Sequence, residues 1–329
     1  MCDIWKTEGR GSVSLEDLKR MTPQFTDLGV EEFVLTGGEP LMNREIDEIL
    51  PYLAKLGRIR LVTNGMLLSK HVDVVTRSVS SIRISLDGPP EIHNRIRGVA
   101  SAFKMLERGM AAIRERNGSL RIGARCTIQR ENFRYMEETV ATARRLGFTY
   151  LSFNGTDVTS EAYNRTRGEV DLSRDRLALS PGEIAELDAS LDHFFGRCAP
   201  LFDSGFIAET PDRVRNILTS YYRDLSDETG WELSPCNAPW VSAVIHPNGS
   251  ILPCFFHQTY GSLDSDSLKA VLNKDSSREF RKKLDVDKNP VCRHCVCRMP
   301  LYTCDCGWSV RGQICDGQTC QKFSRKPVE

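Results

Sequence analysis

The cysteines of this chain offer the clearest chemistry, because most of them lie in its C-terminal third. There are 12: seven lie between Cys292 and Cys320, and Cys236 and Cys254 flank a single predicted hairpin. In a large chain with no visible export signal, such a set favours metal ligands over disulfides. We predict that Cys236, Cys254, Cys292 and Cys295 bind one metal centre. Four thiolates suit an iron–sulfur cluster or a structural zinc ion, and the spacing leaves both open.

A second group of candidate residues lies at the ends of predicted strands in the N-terminal half. Gly37-Gly38-Glu39-Pro40 follows one such strand. Consecutive glycines let a ligand approach the backbone closely, and Glu39 can accept a hydrogen bond from a cationic amine. A simple tight turn is the alternative. Further polar candidates lie on or after other strands: Asn64, Ser85, Asp87, Arg125 and Asn154.

These residues need a scaffold in which strands and helices alternate. Short apolar runs and amphipathic segments follow one another from residue 14 to residue 153. The pattern predicts parallel strands with right-handed crossovers, either in a barrel or in an open sheet. Both folds place their sites at the C-terminal ends of the strands. The predicted strands are Glu32–Thr36, Ile59–Thr63, Ile82–Leu86, Leu120–Ile128 and Tyr150–Phe153.

The remaining chain changes character after residue 154. Residues 155–180 are polar and predict a loop, which two helices follow, near Pro181–Arg197 and Pro211–Leu225. Asn-Gly between two apolar runs predicts a hairpin with strands Trp240–Ile245 and Ser250–Phe256. A charged helix near Arg278–Leu284 leads into the cysteine-rich tail.

Composition excludes several classes of protein. Apolar residues make up 40 % and charged residues 27 % of the 329 residues, as in ordinary globular chains. Lysine plus arginine and aspartate plus glutamate both number 44, so the charge pattern of a nucleic-acid-binding protein is missing. No apolar run approaches the length of a membrane span. We therefore expect a cytoplasmic protein that binds neither nucleic acid nor membrane.

Together with Cys2, the strand-end residues resemble the radical S-adenosylmethionine (SAM) enzymes. That family has a Cys-x3-Cys-x2-Cys loop after its first strand and a Gly-Gly-Glu-Pro loop after its second. The segment 2–5 (Cys-Asp-Ile-Trp) is similar to the end of the first loop, and the segment 35–40 matches the second. The resemblance implies an α/β fold, a partial (β/α)6 TIM-like barrel whose first strand is missing, with a cysteine-rich auxiliary-cluster domain at the C-terminus.

The tail strengthens this resemblance. The spacing Cys236-x12-Gly249-x4-Cys254, followed by Cys292-x2-Cys295, resembles the SPASM/twitch extension of the same superfamily. The resemblance implies an auxiliary [4Fe–4S] cluster with all four sites filled by cysteine. It also implies three parts, namely a radical SAM core at 1–180, a helical linker at 181–235 and an iron–sulfur domain at 236–329.

The resemblance further implies cofactors, partners and roles. SAM would bind a core [4Fe–4S] cluster, with Gly37, Gly38, Glu39 and Pro40 near its amino group and Ser85 and Asp87 near its ribose. Arg125 would hold the SAM carboxylate, Asn154 would face the adenine, and Asn64 belongs to the same strand-end set. For four of these there are alternatives, namely a strand-end turn (Ser85, Asp87), a barrel salt bridge (Arg125) and a turn cap (Asn154). The reaction would abstract hydrogen from a peptide or small-molecule substrate. An external donor such as flavodoxin or ferredoxin would supply electrons, and the auxiliary cluster would make the net reaction an oxidation.

The sequence departs from the family pattern at both ends. It begins at Met1-Cys2, so Cys2 would be the third core ligand and the first two are not in the chain; we expect Met1 to be an internal methionine of the cysteine loop. The gaps between the last five cysteines do not match a second SPASM cluster, which leaves their role open: Cys297, Cys304, Cys306, Cys315 and Cys320. Two competing hypotheses are a zinc-stabilised α/β binding protein without redox chemistry and a truncated, inactive relative.

Overall fold

The centre of the fold is a sheet of five parallel strands that lie side by side in chain order. The computed structural model describes residues 11–162, 176–227, 230–264 and 266–298. The predicted α/β class and TIM-like arrangement are confirmed, with each predicted strand present to within a few residues. The strands are β1 Glu32–Leu35, β2 Arg58–Thr63, β3 Ser81–Ser85, β4 Arg121–Ile128 and β5 Tyr150–Gly155.

Helices connect these strands and cover one face of the sheet. A capping box starts the first helix: the Asp17 N–H donates to Ser14 Oγ, and the Ser14 N–H donates to Asp17 Oδ2, both at 3.1 Å. Such reciprocal bonds satisfy donors that a helix start leaves free. The helices of this half are α1 Leu15–Asp27, α2 Ile46–Ala54, α3 Val72–Ser78, α4 Pro90–Arg97, α5 Ala102–Arg116 and α6 Met136–Arg145.

The two faces of the sheet differ sharply in burial. Side chains alternate between faces along a strand, and the face toward the helices is apolar and fully buried. The opposite, inner face carries mostly polar side chains that are only half-buried, so it lines open space rather than a packed barrel core. The inner-face residues include Arg60, Val62, Arg83, Ser85, Arg125, Thr127 and Asn154.

The next position of the barrel is filled by a very short pairing. Helix α7, Pro181–Asp203, leads to a segment that lies parallel to β5 at Ile207. The Leu151 N–H donates to the Phe206 carbonyl at 2.7 Å, and the Ala208 N–H donates to the Leu151 carbonyl at 2.8 Å. The chain thus continues the barrel beyond β5 by a single bridge.

The C-terminal half consists of short elements. A nearly continuous helical stretch comprises α8 Pro211–Arg215, a π-turn Asn216–Ser220 and α9 Tyr221–Asp227. A three-stranded antiparallel sheet follows, surrounded by short helices. These elements are α10 Ala238–Val241, β6 Val244–Ile245, β7 Ser250–Leu252, β8 Gly261–Ser262, α11 Leu268–Asn273, α12 Asp275–Lys283 and α13 Pro290–Arg293.

One detail of the predicted hairpin is wrong. The strand predicted from Trp240 begins only at Val244, because Pro239 lies in the first turn of α10, where proline is favoured. The second strand ends at Leu252 rather than Phe256. The hairpin itself is present, with Gly249 at φ +80° in its turn. The division of the chain at 180 and 235 stays a prediction. No helix within the described ranges is both long and apolar enough to cross a membrane.

Candidate functional site

The Gly-Gly-Glu-Pro loop leaves the end of β1 and is tied to the end of β2. Glu39 Oε1 accepts hydrogen bonds from the Thr63 hydroxyl at 2.7 Å and from the Leu41 N–H at 3.1 Å. Its Oε2 accepts from the Asn64 N–H at 2.8 Å. Gly37 lies at φ +139°, which favours glycine, and no atom lies within 4 Å of where a Cβ would be. The loop is therefore pinned by one carboxylate while its glycine backbone stays exposed.

This geometry leaves Glu39 some capacity for a ligand. A carboxylate has about four lone-pair sites, and the chain uses three of them, so Oε2 can accept one further hydrogen bond. Burial raises the pKa of Glu39, while its three hydrogen bonds and the charge of Arg97 oppose the rise. A cationic amine near Oε2 would stabilise the ionised form, as the sequence-based role of Glu39 requires.

Asp87 lies at the turn after β3 and is enclosed by the protein. Its side chain is 1 % exposed, and Arg97 Nε donates to its Oδ2 at 2.6 Å. The Asp87 N–H donates to His93 Nδ1 at 3.2 Å, and Asn132 Nδ2 donates to the Asp87 carbonyl at 2.9 Å. Burial raises the pKa of Asp87. These contacts favour the strand-end turn, the alternative to a ribose contact.

His93 is completely inaccessible to solvent. This burial lowers the pKa of His93 to about 3, and the neighbouring Arg97 charge lowers it further. The imidazole is therefore neutral, with Nδ1 accepting the Asp87 N–H. Its ring packs edge-on against Phe103, with the centroids 6.0 Å apart.

Three other predicted residues share the inner face. Ser85 and Arg125 are paired in register across β3 and β4, and Asn154 pairs with Thr127 across β4 and β5. No described carboxylate lies within ion-pair distance of Arg125, so the barrel salt bridge expected as its alternative is not formed within the described ranges. Burial lowers the pKa of Arg125, and the charge of Arg83 adds to this. The guanidinium is thus free to meet a ligand.

The structure adds residues that the sequence did not single out. Arg83 lies on the inner face of β3, and Glu209 lies just after the Ile207 bridge. Glu209 accepts from the Ser152 hydroxyl at 2.6 Å and from the Phe153 N–H at 3.0 Å. A charged residue at an alternate strand position could have drawn attention to Arg83. Nothing in the local sequence marks Glu209, because its place depends on the distant pairing at Ile207.

The four cysteines predicted as ligands lie near one another. Burial raises the pKa of the Cys292 thiol to about 12, and the neighbouring Cys254 and Cys236 add to the rise. The pKa of Cys295 is raised by burial, by Cys297 and then by the same two thiols. No three metal-binding side chains among the described residues close around a single metal ion. The donor set of four neighbouring thiols is the chemistry an iron–sulfur cluster requires.

Histidines support this cysteine region. His257 Nε2 lies 3.2 Å from Cys292 Sγ, and burial lowers the pKa of His257, so its neutral ring can donate to the sulfur. His294, between Cys292 and Cys295, lies with Nε2 3.3 Å from the buried carboxylate of Asp224. These contacts hold the Cys-x2-Cys turn against the rest of the chain.

Cys297 lies where the cysteine region meets the barrel. Its side chain is exposed, yet the surrounding protein raises the pKa of its thiol while Arg125 opposes the rise. Other predicted residues lie outside the described part of the chain: Cys2, Cys304, Cys306, Cys315 and Cys320.

Comparison with known families agrees with this geometry. The family model described as Radical SAM superfamily matches residues 1–143. The SPASM model, described as an iron–sulfur cluster-binding domain, matches residues 236–296, which contain all four candidate ligands. The chain belongs to the radical SAM superfamily and carries a SPASM domain.

Individual relatives refine this. The chain is 24 % identical over 304 residues to the antilisterial bacteriocin subtilosin biosynthesis protein AlbA of Bacillus subtilis, covering 88 % of this chain and 61 % of the relative. It is 30 % identical over 141 residues to the AdoMet-dependent heme synthase of Oleidesulfovibrio alaskensis, covering 42 % of this chain and 36 % of the relative. The chain thus spans between about a third and three fifths of the length of these curated relatives.

Solved structures share the fold. The structure of native anSMEcpe with bound AdoMet superposes with a TM-score of 0.62 at 17 % identity, covering 89 % of this chain and 84 % of that one. Streptococcus suis SuiB bound to the precursor peptide SuiA gives a TM-score of 0.58 at 17 % identity, covering 90 % and 68 %. At this level of identity the likeness defines the fold alone.

Proposed function

We propose that this chain is a radical SAM enzyme that abstracts a hydrogen atom from a peptide substrate. The observation that carries the proposal is the Glu39 junction, in which one carboxylate joins the Gly-Gly-Glu-Pro loop to the end of β2. That junction exposes glycine backbone at the strand ends, where barrels of this kind bind their ligands.

SAM bound to a reduced [4Fe–4S] cluster would supply the radical chemistry. Residues of this chain would orient SAM and enclose it. The Gly37–Gly38 backbone and the remaining lone pair of Glu39 would meet the SAM amino group. Arg125 would pair with its carboxylate beside Ser85, and Asn154 would face the adenine. The contacts of Asp87 support the alternative role, in which it positions the β3 turn.

We further propose that Cys236, Cys254, Cys292 and Cys295 hold an auxiliary [4Fe–4S] cluster that accepts an electron, so that the net reaction is an oxidation. The match of residues 236–296 to a domain described as iron–sulfur cluster-binding supports a cluster rather than zinc, because that segment carries all four thiols. An external protein such as flavodoxin or ferredoxin would deliver the first electron.

Support for a peptide substrate comes from relatives. One relative that matches this chain is a protein of subtilosin biosynthesis. Two solved structures of the same fold hold peptides, the SuiA precursor peptide in one and the Kp18Cys peptide in the other. A small-molecule substrate is the second candidate, since the AdoMet-dependent heme synthase also matches the core.

The test is to purify the protein without oxygen, count iron and sulfide, and assay 5′-deoxyadenosine release from SAM with and without candidate peptides. Iron–sulfur absorption that bleaches with dithionite, and release that rises with a peptide, are expected. A colourless zinc protein would contradict the cluster assignment, and an iron protein that never cleaves SAM would contradict the enzyme.

A further inference from the structure

We propose that Arg83 binds a carboxylate group of the substrate inside the barrel, at a position deeper than SAM. The proposal rests on the proposed function only in placing the substrate in the barrel; the chemistry comes from Arg83 itself. A peptide with an acidic side chain is the substrate class that this site would select.

Arg83 lies on the inner face of the sheet. It is the middle residue of β3, and it pairs in register with Val62 and Gly123, so it lies on the inner face. Arg125 lies on the same face of the adjacent strand, opposite Ser85, two residues nearer the C-terminal end. Two guanidinium groups thus stand on neighbouring strands of the inner face, one below the other.

An aromatic ring lies on the inner face at the same level as Arg83, because Tyr150 pairs in register with Gly123 and Gly123 with Arg83. A Cβ on Gly123 would lie 2.1 Å from Tyr150 Cζ, so the Tyr150 ring lies directly over Gly123. Arg121 stacks on that ring, with its Cζ 5.1 Å from the centroid. The Tyr150 ring therefore occupies the inner face beside Arg83.

Among the residues that the structure describes, none forms a hydrogen bond or ion pair with the Arg83 side chain. Its Nε is buried without a hydrogen-bond acceptor, and no carboxylate in the described ranges forms an ion pair with it. By contrast, Arg60 on the same face pairs with Glu32 at 2.6 Å. A guanidinium offers five N–H donors, and leaving the buried Nε–H of Arg83 unsatisfied is costly unless a ligand supplies an acceptor.

Nearby carboxylates are already engaged. Glu209, whose charge reaches Arg125, accepts from the Ser152 hydroxyl and the Phe153 N–H. Asp157 accepts from the Thr159 and Ser160 N–H groups at 3.0 and 3.1 Å. These two carboxylates are therefore held by other groups and form no ion pair with Arg83.

The nature of the arginine side chain selects the ligand. Its planar fork matches a carboxylate with two parallel hydrogen bonds. SAM contains a single carboxylate, which Arg125 is proposed to take at the strand end. The second guanidinium, one level deeper, is thus left for an anionic group of another molecule.

The experiment measures binding of two probes by ligand-observed NMR titration. The probes are N-acetyl-glutamate α-amide and N-acetyl-glutamine α-amide, which differ only in the side-chain carboxylate. Wild-type protein should bind the glutamate probe about tenfold more tightly than the glutamine probe. Arg83→Gln should abolish that difference, and Arg83→Lys should keep part of it. Arg108→Gln, which removes an exposed charge from α5, is the matched control and should bind as wild type does.

Three outcomes would overturn the proposal. One is equal binding of the glutamate probe by wild type and Arg83→Gln. Another is displacement of the probe by SAM, which would make Arg83 part of the SAM carboxylate site. The third is binding of inorganic phosphate in place of the glutamate probe, which would exclude a carboxylate. None of these readouts depends on 5′-deoxyadenosine release, so this proposal and the proposed function can fail separately.

Discussion

The barrel half of this chain and the half that contains its SPASM domain are stabilised by different interactions. Strands β1–β5 have four to eight residues and bury a continuous apolar face against helices. Strands β6–β8 have only two or three residues. A sheet that small has little stability of its own. The first half thus depends on a large apolar core, whereas the second buries fewer apolar side chains, among them Ile251, Leu268 and Val271. We therefore expect the second half to depend more on what its cysteines bind.

Removing one cysteine ligand from the second half should give the largest difference in folding between the two halves. Cys254→Ala should release the auxiliary metal and unfold β6–β8, because structural metal sites supply on the order of 10 kcal/mol to folding. The barrel should stay folded. Hydrogen exchange of residues 244–262 and iron counts would measure this. Cys198→Ala, in the core of α7, is the control and should keep wild-type iron. Unchanged iron and exchange in Cys254→Ala would refute the prediction.

For the barrel half, the corresponding test is to lower the pH and measure the free energy of unfolding. His93 is neutral in the fold with a pKa of about 3, against its ordinary 6.5. Between these pH values the unfolded chain binds the additional proton, so stability falls as the pH falls, by about 1.4 kcal/mol per pH unit from this residue. Below about pH 3 the full contribution is lost.

Urea unfolding of wild type and His93→Gln from pH 7 to pH 4 would measure that slope. The variant should show a shallower dependence on pH. His193→Gln, whose ring is 73 % exposed, should keep the wild-type slope. Parallel curves for wild type and His93→Gln would show that His93 titrates normally in the fold.

A smaller effect is expected where the inner face is packed tightly. Gly123→Ala would force the Tyr150 ring away and cost about 1–3 kcal/mol of unfolding free energy. Because the ring causes the clash, Gly123→Ala should cost much less in a Tyr150→Ala background. A double-mutant cycle would measure this coupling. The control is Gly182→Ala, at an open site in the first turn of α7, which should not destabilise. Additive effects in the cycle would rule out the clash.

The smallest effect concerns the sulfur environment. Hydrogen bonds to cluster sulfurs raise reduction potentials. His257→Phe should therefore lower the potential of the auxiliary cluster, by an amount equivalent to about 1 kcal/mol or less. His246→Gln, whose ring packs near Phe255, is the control. An equal potential in wild type and His257→Phe, measured by redox titration, would mean that the 3.2 Å contact carries no hydrogen bond.

The same contrast explains what the sequence could predict. Alternating apolar runs define β1–β5 because burial on a sheet follows a period of two, and the Ser14 capping box is a local pattern. The hairpin turn at Gly249 was equally local. The start of β6 was missed because Pro239 began a helical turn inside an apolar run.

The site divides in the same way. The Glu39 loop and the cysteine pairs were found from motifs, and the structure ties the Glu39 loop to the end of β2. The Asp87 contacts could not be predicted, because they depend on how α4 folds back over the end of β3. Glu209 and the free guanidinium of Arg83 emerge only when distant strands are placed in register.

The bridge at Ile207 has a consequence for how the barrel wall behaves. Two hydrogen bonds, donated by the backbone N–H groups of Leu151 and Ala208, hold that seam, whereas β4 and β5 are paired at six positions. Parting the seam would free little surface and would carry Glu209 away from Ser152. The amide of Ala208 should therefore exchange with solvent long before those of β4, marking this edge as the first wall of the barrel to breathe.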